Sequence, residues 1–305
     1  MSRIAWIGGL GLWLAVSASG ALAAGQREFG SPEEAAAALA AAWQSGSESA
    51  LLGIFGRDGE KLVDSGDAAA DQAARDRLAA AYAEKHRIEV DGDHSAFIVL
   101  GKEEWPYPIP VVQIGLIWRF DVAAGEQQII DRRIGRNELS AISVCRAYVN
   151  AQREYAAEDP LHDGLHSFAL KIASNEGTRD GLYWPAARPA EESPLGPLLA
   201  AAEAGGHPAP GAGEPGPYHG YYFRILTRQG PSAPGGARDY VVKGHMSGGF
   251  ALVAYPAKRG DSGIMTFIVN QDGIVFQKDL GRFTEFRGRH MREYNPDSSW
   301  SMAGP

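Results

Sequence analysis

His162-Asp163-Gly164-Leu165-His166 is the tightest cluster of metal-ligating side chains in the sequence. Histidines four residues apart on a helix share one face and can hold a zinc ion together. Here Pro160 and Gly164 work against a regular helix, and the His-Glu-x-x-His pattern of zinc proteases is absent. The cluster therefore also reads as an exposed polar loop. Three aspartates are candidates for Ca²⁺: Asp180, close to Asn175 and Glu176, and either Asp261, in Asp261-Ser262-Gly263, or Asp272, in Asn270-Gln271-Asp272-Gly273. Oxygen donors suit that ion, but none of these segments has the alternating acidic spacing of an EF-hand loop, and Asp-Gly pairs are ordinary turn chemistry.

Nucleophilic chemistry has less support. Ser247-Gly248-Gly249 lies close to His245, yet the Gly-x-Ser-x-Gly elbow of α/β-hydrolases does not occur. The two glycines read as a bulge or a close strand approach. No phosphate-cradling glycine loop or dinucleotide fingerprint is present. Cys145 is the only cysteine, which excludes an intramolecular disulfide, and it occupies an apolar position of a helical pattern, where cysteine acts as a small buried hydrophobe. Tyr183, Trp184, Tyr218, Tyr221 and Tyr222, with His219 and Arg224, offer binding chemistry instead. Flat amphipathic rings beside a proline- and glycine-rich loop line a groove for glycan or peptide, or they alternate along a strand and pack it on a helix. In the first half, Asp64, Asp67, His86 and His94 supply the residue types of a hydrolase cavity. Trp43, Phe55, Trp105, Tyr107 and Trp118 line such a cavity or fill it as core.

These residues must be positioned by elements that the sequence punctuates clearly. Residues 1–24 have a single charge, Arg3, then an apolar run and small residues ending in Ala21-Leu22-Ala23-Ala24. That pattern is a cleavable secretory signal peptide, and it places the mature chain in the periplasm or outside the cell. No later apolar stretch approaches the length of about 20 residues needed to span a bilayer, so no membrane span is expected after cleavage. Loss of Arg3 takes the formal charge from −8 to −9, which argues against nonspecific nucleic-acid binding, although a local basic patch is compatible with it.

The remaining chain divides into two expected domains, 25–137 and 138–305. In the first, Ser31 caps a helix with Pro32 at its first position and Glu33-Glu34 at the positive end of its dipole. Shorter helices are expected over 48–55 and 71–86, followed by strands at 86–90, 95–100, 111–121 and 127–134. In the second, a long helix starts near Asn137, with Ala141, Val144, Cys145, Tyr148, Val149, Gln152 and Tyr155 on one buried face. A short helix over 166–172, a Pro/Gly-rich loop over about 186–217, and strands over 220–227, 250–256, 263–270 and 274–279 complete it. The fold class is α+β throughout. The order of the amino-terminal elements, helices then a curled antiparallel meander, resembles the cone fold of nuclear-transport-factor-2-like and cystatin-like proteins.

The second half carries long, uncommon strings: Arg179-Asp180-Gly181-Leu182-Tyr183-Trp184-Pro185, Ser193-Pro194-Leu195-Gly196-Pro197, Tyr218-His219-Gly220-Tyr221-Tyr222-Phe223-Arg224, Gly248-Gly249-Phe250-Ala251-Leu252-Val253-Ala254-Tyr255-Pro256 and Thr266-Phe267-Ile268-Val269-Asn270-Gln271-Asp272-Gly273. On these the chain resembles a family of secreted bacterial proteins catalogued as domain of unknown function 2950, a resemblance that implies no activity. The long helix, glycine-rich loop and terminal hairpin also look like the globular part of type IV pilins and pseudopilins, some of which hold calcium in a late loop. The hydrophobic first half of the pilin helix, which anchors pilins, is missing. Together these features lead to the expectation of a noncatalytic binding or envelope-assembly protein that contacts envelope protein or glycan. The alternative is a hydrolase using the amino-terminal cavity.

Overall fold

The computed structural model describes residues 25–64, 68–185, 192–197 and 216–304. Residues 1–24, Asp67 and most of the Pro/Gly-rich stretch 186–217 lie outside them. The chain is α+β and divides into two compact units between Glu126 and Gln127.

The amino-terminal unit opens with helix α1 (Pro32–Ser45), whose Ser31 hydroxyl accepts the Glu34 N–H and which ends at left-handed Gly46. Helices α2 (Glu48–Phe55), α3 (Glu60–Val63) and α4 (Ala68–Glu84) follow. Strands β1 (His86–Asp91), β2 (Ser95–Leu100), β3 (Trp105–Pro106), β4 (Val111–Ile114) and β5 (Ile117–Phe120) form one antiparallel sheet in the order β1-β2-β4-β5, with β3 on β2. The expected single strand over 111–121 is a hairpin. Gly115 sits at φ +65°, a conformation that glycine adopts at no steric cost, and turns the chain between β4 and β5. The interior is filled by rings: Trp43 meets Tyr107 edge-on at 5.2 Å and Phe55 meets Phe120 at 5.3 Å, within a buried cluster with Leu39, Ile98 and Leu100.

The expected strand over 127–134 does not form. Helix α5 runs from Val122 to Glu158, so it begins well before Asn137. The Asp121 carboxylate accepts the Ala124 N–H at 3.0 Å, an N-cap interaction, and Gln127 bonds Asp131 one turn on at 2.8 Å. Gly125 is not a turn residue. A side chain there would come within 2.6 Å of Ile109, and glycine allows the first helical turn to press on that residue.

In the carboxy-terminal unit, Ala141, Cys145, Tyr148, Val149, Gln152 and Tyr155 of α5 are buried, as the 3.6-residue period requires. They pack with an antiparallel sheet made of β6 (Tyr221–Leu226), β11 (Ala251–Pro256), β12 (Thr266–Asn270), β13 (Phe276–Lys278) and β14 (Ser301–Met302), in the order β14-β13-β12-β11-β6. The chain that connects β6 to β11 in sequence forms two short ribbons: β7 (Arg228–Gln229) with β8 (Arg238–Asp239), and β9 (Val241–Val242) with β10 (His245–Met246). Every residue of β11 and β12 is buried, and continuous apolar strands of this kind belong at a sheet centre. Helix α6 (Thr284–His290) contacts β11, with Gly288 lying against the Tyr255 ring. The expected helix over 166–172 is instead irregular chain. His162 and His166 have positive φ, Phe168 bridges to Met246, and Gln152 takes up the backbone of Ala169.

Candidate functional site

Most of the aromatic set belongs to the carboxy-terminal core: Trp184 and Tyr221 lie in its buried cluster, and Tyr183 and Tyr222 pack against it. Tyr221 is fully buried, and its hydroxyl donates to the Met265 carbonyl at 2.8 Å while its ring tilts against Phe267. Burial raises its pKa far above the ordinary tyrosine value. Trp184 is buried beneath the Arg179 guanidinium, which lies 5.3 Å from its ring centroid. Tyr183 is half-buried and bridges to Ala173. Tyr218 is partly exposed and meets His219 and Phe223. Tyr222 lies against Tyr255. Packing therefore accounts for Tyr221, Tyr222 and Trp184. Arg224 differs: its guanidinium donates to the Gly288 and Met291 carbonyls and so holds the end of α6.

The aspartates nominated for calcium are occupied by the protein itself. Asp180 accepts from Lys171 Nζ at 2.5 Å, from the Asn175 N–H and side-chain amide at 2.9 Å each, and from the Thr178 hydroxyl at 2.8 Å. Burial alone would raise its pKa, but these donors outweigh burial and lower it to about 2. Asp272 accepts from the Asn270 amide at 3.0 Å, and its own N–H donates to the Asn270 side-chain oxygen, so the loop closes on itself in the manner of an Asx turn. His166 Nδ1 lies 3.0 Å from the Ala156 carbonyl oxygen. Among the described residues, no three His, Cys, Asp or Glu side chains gather in a metal-binding arrangement.

The residues nominated for a hydrolase are not brought together either. His86 stacks on Tyr82 at 3.7 Å, and His94, in the β1–β2 turn, lies 3.4 Å from Gln113 of β4. Asp64 is an exposed residue after α3, and Asp67 lies outside the described residues. At Ser247-Gly248-Gly249, a side chain at either glycine would collide with Asp239 or Tyr240, which accounts for the pair by close approach. Cys145 is fully buried, and burial pushes its thiol up to about 12, far from a reactive thiolate.

Among the described residues, two concavities bear on a binding role. In the amino-terminal unit, an open groove of about 870 Å³ has Phe55 and Phe120 in its wall. Arg57, Lys61 and Arg119 line it together with Asp58, Glu60, Asp121 and Glu126, so its charges are mixed. In the carboxy-terminal unit, a pocket of about 330 Å³ is lined by Arg224, Ile225, Thr227, Arg228, Asp239, Arg289, His290 and Arg292. Sequence reasoning nominated only Arg224 of these. A legible signal was the run Arg287-Gly288-Arg289-His290-Met291-Arg292, whereas the strand residues that complete the pocket are dozens of positions away.

A family model described as protein of unknown function (DUF2950) matches residues 26–303. No curated protein and no solved structure matches the chain.

Proposed function

Because the chain belongs to this family of proteins of unknown function, whose description assigns no activity, we propose its role from its own residues: an exported, noncatalytic binding or assembly protein of the bacterial envelope. The observation that carries the proposal is the filled interior of the amino-terminal unit. Trp43, Phe55, Tyr107 and Phe120 occupy the space in which a cavity enzyme would hold its acid–base groups. General acid–base catalysis needs a group within about 3 Å of the proton it moves, and His86, His94 and Asp64 are exposed residues outside that packed interior. Export is supported by the pattern of residues 1–24. Among the described residues, no helix is long and apolar enough to cross a membrane. The long helix against an antiparallel sheet supports the finer reading of a pilin-like carboxy-terminal unit, and the helix-then-meander order supports a cone-like amino-terminal one.

The test pairs turnover with binding. Purified protein is assayed on ester, phosphoester, glycoside and peptide substrates, and its melting midpoint is followed against soluble peptidoglycan fragments and envelope polysaccharides. The expected result is no turnover and a dose-dependent rise with one ligand class, since a ligand at 100 times its Kd adds about 2.7 kcal/mol. Turnover that disappears in Asp121→Asn or Glu126→Gln, both carboxylates of the open groove, would overturn the proposal in favour of a hydrolase.

A further inference from the structure

The arginine pocket of the carboxy-terminal unit has a different electrostatic character from the rest of this acidic chain. Arg224, Arg228, Arg289 and Arg292, with His290 and the Thr227 residue beside them, face a single lining carboxylate, Asp239. Arg228 is partly matched by Glu293 at 3.5 Å, both half-exposed. Arg224 spends its Nη2 on the Gly288 and Met291 carbonyls, while its Nε is buried without a hydrogen-bond partner among the described residues.

We infer that this pocket binds the phosphate group of a ligand. Guanidinium forks match oxyanions through paired N–H donors, and several forks around one space suit a group with three acceptor oxygens and roughly −1.5 to −2 charges at neutral pH. A carboxylate, with one charge and two oxygens, satisfies fewer of them. The burial of Arg224 and the nearness of Arg292 both disfavour the charged guanidinium, and a bound dianion offsets both effects. The rim also indicates how the group is carried. Phe286, 63% exposed, lies with its ring centroid 4.2 Å from that of His290, one of the pocket's lining residues. A phosphate on an amphiphile, such as a phospholipid headgroup, and a phosphate on a soluble envelope glycan share this recognition chemistry. The inference deepens the binding reading and rests on it in one respect, that the ligand is held and not turned over.

The experiment is a calorimetric titration of the purified protein with inorganic phosphate at constant ionic strength, with sedimentation of phosphatidylcholine vesicles with and without phosphatidylglycerol. Arg224→Gln could release α6 and unfold the unit, so the informative variant is Arg292→Gln at an exposed position, with exposed Arg77→Gln on α4 as control. Saturable one-to-one phosphate binding, weakened about tenfold by Arg292→Gln and unchanged by Arg77→Gln, is expected. Phosphatidylglycerol-dependent sedimentation lost in Arg292→Gln identifies a lipid source, and phosphate binding without vesicle binding identifies a soluble one. Neither phosphate binding nor vesicle capture, or either persisting unchanged in Arg292→Gln, would overturn the assignment. Those failures leave the wider binding reading to be decided by the glycan and turnover assays.

Discussion

Gln152 offers the sharpest test of how the carboxy-terminal unit is held together. It lies fully buried on α5, and its amide pairs with Ala169 twice: Nε2 donates to the Ala169 carbonyl at 2.9 Å and Oε1 accepts the Ala169 N–H at 2.8 Å. Nε2 also donates to the Tyr148 hydroxyl at 3.0 Å, which in turn donates to the Ala251 carbonyl of β11 at 3.2 Å. One side chain thus does for residue 169 what a neighbouring strand would do. Gln152→Leu keeps the volume and removes all three bonds, leaving the buried N–H and C=O of Ala169 unpaired. At about 1–3 kcal/mol for each of the two orphaned groups, less about 1 kcal/mol returned by the added apolar burial, the net cost is about 1–5 kcal/mol. Guanidinium unfolding followed by circular dichroism reads this as a lower midpoint with the slope retained. Tyr148→Phe should cost about 1 kcal/mol, and the two substitutions should be non-additive because they share a hydrogen bond. A Gln152→Leu cost below about 1 kcal/mol would refute the reasoning, because it would mean that the Ala169 backbone finds other partners.

Three further outcomes follow from the same packing. The Asp180 carboxyl titrates near 2 when folded, below its ordinary value of 3.8, so the unfolded chain binds the extra proton first and the stabilisation is present above about pH 4 and lost as the pH falls through about 2. Because the side chain is partly exposed to solvent, the amount is about 1 kcal/mol, and Asp180→Asn should flatten the acid limb of an unfolding-against-pH curve. Trp43→Ala removes a ring buried against Tyr107 and should cost about 3–5 kcal/mol, read as a lowered melting midpoint of the amino-terminal unit. Cys145 should resist iodoacetamide in the native protein and react at the rate of unfolding, so rapid native alkylation, followed by mass spectrometry, would contradict its burial.

The legibility of the fold followed the strength of local signals. Ser31, Pro32 and Gly46 bracket α1 on the page and in space, and the buried face of α5 from Ala141 to Tyr155 is visible as period. The first turns of α5 were not legible for a physical reason. Ile129 and Ile130 are exposed or half-buried there, so no apolar stripe reveals the helical period, and two adjacent isoleucines in a polar background look like a strand. The irregular path around Ala169 was hidden because its partner is the side chain of Gln152, not a neighbouring strand. The Asx turn at Asp272 is written in adjacent residues, whereas the turn at Gly115 rests on a single glycine that splits an apolar run. The arginine pocket draws on β6, β7, β8 and the end of α6, and only tertiary folding assembles positions so far apart.

The measurement that bears most directly on the central proposal is isothermal calorimetry of the purified protein with soluble peptidoglycan fragments and phosphorylated envelope glycans. A binding protein releases heat in pulses that return to baseline and saturate at fixed stoichiometry, and that is the predicted result. A sustained displacement of the baseline, proportional to protein concentration and ending only when the glycan is consumed, would show turnover and contradict the account.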